Sequence, residues 1–358
     1  MKKALSVLLV LAALFSASAL AAQPAYKKYN HVFFGTFDTV VSLLGYARDK
    51  ETFDRAARET ESAFQRYHMM FDQYHPYEGL NNVYALNRQA AQAPVRVPDE
   101  LFSLLAYCKQ MQPRLRGTVN VAMGSVLALW HEARETAKSD PEHAALPSLS
   151  ALQQAAMHTS MEDVILDAEN KTVFFKDPEL KLDVGAVAKG YAAELAAQSL
   201  LKGELSHFII NAGGNVRTGN PPLDGRSNWS VGVQDPDANV LTPDGTDVIE
   251  LLYMHNMSSV TSGDYQRFFT LNGVSYHHLI SPETLMPARF MRAVTVLTED
   301  SGLADLLSTA LFLMSPEDGM AFLKEFGQPI EALWILNDGS LVMTEGAKKM
   351  ARSQGADH

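Results

Sequence analysis

The chain has 358 residues, enough for one large domain or two intimate subdomains around a sizeable core. With 30 basic and 41 acidic side chains, a formal charge of −11, its surface repels nucleic acid and anionic lipid, so any anionic ligand must be held locally by a metal, a lysine or backbone N–H groups. Cys108 is the single cysteine, which excludes an internal disulfide, and its place in a helical pattern with Leu104 and Leu105 marks a buried, inert thiol.

The chain opens MKKALSVLLVLAALFSASALAA. Two lysines, an apolar run and Ala19-Leu20-Ala21 predict a secretory signal peptide over residues 1–21. The apolar run is short for a spanning helix and no stop-transfer pattern follows, so no stable membrane span is expected. No cysteine stands near the cleavage point to accept a lipid anchor. The expected location is the periplasm, with a single body over residues 22–345 and a frayed tail over 346–358.

His31–Gly45 alternates like one strand. Lys50–Asp72 has Phe53, Ala57, Ala63, Phe64 and Tyr67 at helical spacings. An aromatic loop follows to Asn87. Helices are predicted from Pro98 to near Pro113 and over Asn120–Ala133. Lys138–Ser148, polar with two prolines, reads as a surface insertion. Short strands are expected near Val164, Val173 and Leu180. Lys181–Val184 ends a strand, Gly185 turns the chain, and a helix runs from about Ala186 to Leu201. Strands are expected at His207–Asn211, Trp229–Gln234 and Val248–Tyr253. Asn272-Gly273 is a hairpin signal between Phe268–Leu271 and Val274–Ile280. Then come a strand at Arg292–Leu297, helices at Ser301–Met314 and Pro316–Phe326, and two final strands. Without regular βαβ spacing this predicts an α+β fold, not a doubly wound sheet.

Asp183-Val184-Gly185-Ala186-Val187-Ala188-Lys189-Gly190-Tyr191 begins a helix just after a tight turn. The first N–H groups of a helix lack intrahelical partners and sit at the positive end of its dipole, so they bind phosphate readily. Lys189 is ill placed there unless an anion is near. Gly190 inside a helix costs about 1 kcal/mol relative to alanine. Spacing alone leaves two readings open: a phosphate site, or a close packing joint with a solvated lysine. Asn211-Ala212-Gly213-Gly214-Asn215 can form an N–H concavity for an anion or a plain strand turn, and the turn is the simpler reading.

Ser301–Met314 is apolar most of the way round and so predicted to be buried. Asp305 and Thr309, four apart, share a face. A buried carboxylate needs a partner: either these two hard oxygens hold Mg2+, or Asp305 pairs with a distant arginine and Thr309 bonds back to its own helix. His277 and His278 lie next to each other on a strand and should point to opposite faces, with Tyr276, His278 and Ile280 sharing one. Asp264, in Thr261-Ser262-Gly263-Asp264-Tyr265, is a further loop carboxylate.

Taken in order, these blocks resemble the ApbE family, the FAD:protein FMN transferases. The resemblance rests on Phe34-Gly35-Thr36, the Tyr74 loop to Asn87, Gly117–Trp130, LDVGAVAKGY (182–191), NAGGNVRTGN (211–220), TSGDY (261–265), YHHLISP (276–282) and LADLLSTALF (303–312). It implies a T-fold-related α+β fold with a compact two-part body of mixed or antiparallel sheets and packed helices. It implies an enzyme that uses FAD as substrate and Mg2+ as cofactor, attaches FMN by a phosphoester to a threonine hydroxyl of a target protein and releases AMP. The implied partners are flavin-accepting subunits of membrane redox complexes with a Ser/Thr-Gly-Ala-Thr-like motif. An FAD diphosphatase yielding FMN and AMP, or a non-enzymatic flavin-binding protein, are the alternatives. By motif, the metal ligands would be Asp305, Thr309 and the backbone oxygen of Ala186. Asp183 and Lys189 would contact FAD, Phe34 and Tyr74 would lie along its rings, and Thr118, Val119, Asn120 and Ile280 would line the same pocket. His278 would be the base for the incoming hydroxyl, with Asp264 beside it in the reaction. The chain departs from the family at Phe34, where methionine is usual, at Asn120, where aspartate is usual, and at Ser281–Leu285, where Asp-Pro-x-Thr-Gly is usual.

Overall fold

The computed structural model describes residues 26–238 and 247–358; the signal segment 1–21 lies outside them. Strands β1 (Lys27–Thr36) and β2 (Thr39–Ala47) form an antiparallel hairpin where the sequence predicts one strand. The turn residues Phe37 and Asp38 have φ of 52° and 53°, the left-handed region that glycine and asparagine usually supply. Tertiary contacts hold them there. Phe37 N–H donates to His68 Nδ1 at 3.2 Å, and its ring meets Phe64 edge-on.

Helix α1 (Lys50–Phe71) is capped by the Asp49 carboxylate, which accepts from Thr52 N–H at 2.8 Å, and buries Phe53, Ala57, Phe64, Tyr67 and Phe71. Then follow α2 (Val83–Gln89), β3 (Val95–Arg96), α3 (Asp99–Met111), α4 (Gly124–Ser139) and α5 (Leu149–Ala156), with β4 (Val164–Asp167) and β5 (Thr172–Phe175) joining β3 in a small sheet. Helix α6 (Ala188–Lys202) leads into β6 (Phe208–Ala212) and β7 (Asn215–Thr218); β8 (Trp229–Gln234) and β9 (Val248–Met254) form a separate pair. The remainder is β10 (Ser258–Gly263), the hairpin β11 (Phe268–Leu271) and β12 (Val274–His277), β13 (Ala293–Thr298), α7 (Ser301–Phe312), α8 (Pro316–Phe326), β14 (Glu331–Ile335), β15 (Leu341–Met343) and α9 (Glu345–Met350).

The body is an eight-stranded antiparallel sheet in the order β1-β2-β6-β7-β10-β13-β14-β15. Its inner strand β13 is buried at every position. Alternate side chains point to opposite faces, and the two faces have different covers. Val294 and Val296 join the core under α1, α6 and α7, whereas Ala293 and Leu297 join Val231, Val233 and Leu252 of the β8–β9 pair. This is the expected α+β arrangement. A third apolar cluster, with Val126, Trp130, Phe269, Ile280 and Leu285, ties α4 to the β11–β12 hairpin.

The C-terminal segment 346–358 is docked, not frayed. Ala347 and Ala351 are fully buried in the second core, Ser353 N–H donates to the buried Glu250 carboxylate at 3.2 Å, and the His358 ring meets Tyr253 at 4.7 Å. Two alanines four apart are a faint apolar signal, which hides the contact from pattern reading.

Candidate functional site

A cavity of about 560 Å³ opens between the floor made by α6 and α7, the loop after α1, and a roof made by α4 and the β11–β12 hairpin. Of the residues singled out from the sequence, Tyr74, Thr118, Val119, Asn120, Asp183, Ala186, Lys189, His278, Ile280, Asp305 and Thr309 all line it. Phe34 and Asp264 do not. Phe34 is 68% exposed on β1, and Phe37 from the turn three residues on lines the cavity instead. Asp264 turns away to Arg292, accepting from Nε at 3.0 Å.

The 182–191 segment is pinned at both ends. The Asn87 side-chain amide brackets Leu182, donating to its carbonyl at 2.9 Å and accepting from its N–H at 2.7 Å. Asp183 accepts from Gly185 N–H at 2.8 Å and from Gln73 Nε2 at 2.7 Å. Gly190 answers the packing question: a Cβ there would come within 2.2 Å of the Ser301 carbonyl and 2.6 Å of Asp305 Cβ. Its cost in helix propensity is offset by the close approach of α7, so the packing reading holds for Gly190 while Ala186, Ala188 and Lys189 face the cavity.

Helix α7 is buried at every residue but Thr309. That exception faces the cavity, and among the described residues its hydroxyl has no hydrogen-bond partner. Asp305, 4% exposed, accepts from Gly190 N–H through Oδ2 at 2.8 Å. That bond diverts the N–H that would otherwise close the first turn of α6 onto Ala186, and among the described residues the Ala186 carbonyl receives no backbone N–H. Among the described residues Asp305 Oδ1 has only the Lys189 ammonium near it, at 3.9 Å. Three hard oxygens, one anionic, are thus left without donors along one wall. Their chemistry fits a divalent cation such as Mg2+. A site dominated by backbone and hydroxyl oxygen has no cluster of three or more His, Cys, Asp or Glu, and none occurs among the described residues.

The two histidines have different tasks. β12 ends at His277, so the strict alternation expected through Ile280 stops there. His277 is buried, donating from Nε2 to the Ala288 carbonyl at 2.7 Å and accepting Leu279 N–H on Nδ1 at 3.2 Å. Both its nitrogens are committed. His278 is half-buried and donates from Nδ1 to the Arg267 carbonyl at 3.2 Å. A carbonyl only accepts, so the proton is on Nδ1, and among the described residues the Nε2 lone pair has no donor. Burial, followed by the nearby Arg267 charge, drives the His278 pKa down to about 3, so the imidazole is neutral.

The roof adds aromatic surface, in Trp130, His131 and Phe269, beyond the site residues singled out from the sequence. Tyr74 stacks on His131 with centroids 4.5 Å apart, and Arg134 Nη2 donates to His131 Nδ1 at 2.8 Å. Trp130, Tyr276 and Phe269 form a further stack. Burial, with the Asp183 charge adding to it, pushes Tyr74 up to about 12. Trp130 and His131 are adjacent on α4 and Arg134 stands one turn further on, a spacing common to any helix.

The departures from the family pattern are structurally consistent. Asn120 donates from Nδ2 to the Thr159 carbonyl at 2.7 Å and accepts Ala122 N–H at 2.9 Å, and an aspartate could not make the first bond. Ser281 Oγ accepts from Glu283 and Thr284 N–H, both at 3.3 Å, as a carboxylate would. Leu285 has φ of 59°, the conformation glycine favours, and is held by its buried side chain and by Trp130 Nε1 donating to its carbonyl at 3.0 Å.

Known proteins resemble the chain over most of its length. The family model described as the ApbE family matches residues 36–334. The FAD:protein FMN transferase of Treponema pallidum is 32% identical over 301 residues, covering 79% of this chain and 80% of that protein. That of Klebsiella pneumoniae is 30% identical over 265 residues, covering 74% and 78%. Among solved structures, the ApbE protein of Thermotoga maritima superposes with a TM-score of 0.77 at 28% identity, covering 90% of this chain and 99% of that one. The flavin transferase ApbE of Vibrio cholerae shares the fold, with a TM-score of 0.73 at 21% identity over 91% of this chain and all of that one. The chain belongs to the ApbE family.

Proposed function

We propose that this transferase moves FMN from FAD to a threonine hydroxyl of a target protein, releasing AMP, with Mg2+ held by Asp305, Thr309 and the Ala186 carbonyl. The observation that carries the reading is the set of three donor-free oxygens beside Lys189 on the floor of a cavity large enough for a flavin nucleotide. When bound, Mg2+ supplies positive charge against that developing on the diphosphate. Lys189 adds a second positive charge from the start of α6. Tyr74, with His131 behind it, offers a flat surface for a ring of FAD. Thr118, Val119, Asn120 and Ile280 enclose the ligand, and Asp183 holds the floor loop in shape. His278 Nε2 takes the proton of the incoming hydroxyl as that oxygen attacks the FMN-side phosphorus in line with the departing AMP oxygen. The signal segment and the family reading support an exported, periplasmic enzyme acting on flavin-carrying subunits of membrane redox complexes. No helix of the described residues is long and apolar enough to cross a membrane.

The test is to incubate the mature protein with FAD, Mg2+ and a peptide bearing a Ser/Thr-Gly-Ala-Thr-like segment. Transfer predicts a mass gain of one FMN on the threonine and one AMP released per FMN attached. AMP release at a rate indifferent to the peptide would instead make the protein an FAD diphosphatase, and tight FAD binding without turnover would make it a flavin-binding protein.

A further inference from the structure

The Gly213-Gly214 pair is a two-residue hairpin turn between β6 and β7, with φ of 59° and 92°, and Ala212 paired to Asn215. It is the plain turn of the two readings, but it delivers Asn215 beneath the cavity floor. Asn215 is 1% exposed and does not line the cavity. Its Oδ1 accepts from Lys189 Nζ at 3.2 Å, while its Nδ2 is buried without a hydrogen-bond partner among the described residues. A buried amide N–H left unmatched costs about 1–3 kcal/mol. The orientation has one evident reason: turned over, the amide would set its NH2 against an ammonium.

Lys189 has a second acceptor within reach. Asp305 Oδ1 stands 3.9 Å away, beyond hydrogen-bond contact, whereas an unrestrained ammonium and carboxylate close to about 2.8 Å. Closure would occupy the one charged oxygen left for a cation. We infer that Asn215 is a positioning residue: its amide oxygen holds the Lys189 ammonium off Asp305 and so keeps Oδ1 open to a divalent metal. The inference rests on the metal reading of this site and concerns what keeps the site available before any flavin arrives.

The experiment measures Mn2+ binding to the full mature chain without FAD, by electron paramagnetic resonance titration, with the urea midpoint of each variant recorded to report folding. Asn215→Leu frees the ammonium to close on Asp305, and Mn2+ affinity falls about 10–100-fold, the usual range for residues that orient a metal ligand. Adding Lys189→Met to that variant removes the competing ammonium and restores the affinity. Asn215→Asp, similar in size and still an acceptor, holds the ammonium in place and does not weaken Mn2+ binding; it decides the matter if the leucine variant does not fold. Loss of affinity in both Asn215→Leu and the double variant, with wild-type urea midpoints, would overturn the positioning role, as would unchanged affinity in folded Asn215→Leu. No Mn2+ binding by the wild type would overturn the metal reading itself, a result distinguishable from either of these.

Discussion

The floor and the roof of the cavity are built on opposite principles. The floor is a joint between two buried helix starts, where Gly190 lets α7 approach until Asp305 takes the N–H that Ala186 would have received. Polar atoms there are scarce, fixed and incompletely satisfied. The roof is an aromatic assembly of His131 and Trp130 on α4 and Tyr276 on β12, with Tyr74 of the loop after α1 stacked on His131, where contact is broad. A low-dielectric floor makes a few charges strong, while a stacked roof tolerates change. The difference predicts that floor substitutions abolish chemistry and substitutions of the roof aromatics mainly shift ligand affinity.

The largest effect should come from Asp305→Ala. It removes the anionic oxygen and leaves Gly190 N–H without its acceptor, so turnover with FAD and Mg2+ falls on the order of 10³-fold, the scale of losing a key electrostatic group. The fold survives with a stability loss of about 1–3 kcal/mol. Single-turnover AMP release beside a urea titration measures both, and unchanged turnover would end the ligand assignment.

The histidines sharpen the same contrast inside one dipeptide. His278→Ala should lower transfer about 10²-fold, the lower end for a general base, at unchanged stability near pH 7. His277→Ala should instead lower stability by about 1–3 kcal/mol, because Ala288 O and Leu279 N–H lose their buried partner. The pH dependence has a definite sign. In the unfolded chain His278 takes up a proton near its ordinary 6.5, and in the folded chain only near about 3. Stability from this group is therefore complete above pH 6.5 and declines as the pH falls toward 3. Urea midpoints of wild type and His278→Ala should coincide near pH 7 and separate as the pH drops, the wild type falling below the variant; curves that stay together down to about pH 4 would refute the depressed value.

Gly190→Ala tests the joint itself. Alanine would gain about 1 kcal/mol of helix propensity, but its Cβ meets the Ser301 carbonyl at 2.2 Å. Backbone against backbone cannot yield cheaply, so a net loss of about 1–3 kcal/mol is expected, with Mg2+-dependent turnover reduced because Asp305 must shift. A stabilised variant with full activity would show that the close approach is incidental.

The floor was the more legible wall, and the reason is physical. Its geometry is written in local exceptions, a glycine inside a helix, a lysine at a helix start and a polar pair on an apolar helix, each of which breaks a pattern. The roof is written in ordinary apolar residues at ordinary spacings, so Trp130, His131 and Arg134 carried no mark of their own. The same holds for the fold. The hairpin at Asn272-Gly273 announced itself, whereas the one at Phe37-Asp38 has the same left-handed backbone without glycine and is held by contacts with α1 that no local window contains. Ala347 and Ala351 mark a buried helix face too faintly to tell a docked segment from a loose one. Asp264 was misplaced because a loop carboxylate in a known block says nothing about which way it turns, and Arg292 decides that.

The smallest expected effect concerns Ser281–Leu285, where the chain departs most from its family. Ser281→Asp restores the usual carboxylate. Ser281 Oγ already accepts the two N–H groups that a carboxylate would, at 3.3 Å each, and Leu285 already holds the left-handed backbone beneath Trp130. The turn should thus keep its shape, and stability should change by less than about 0.5 kcal/mol, as at other partly exposed sites. Any gain in transfer rate would then belong to the added charge alone and not to a remade turn. A stability change well beyond that bound would mean that serine and aspartate shape this turn differently, and that the roof owes its geometry to the serine.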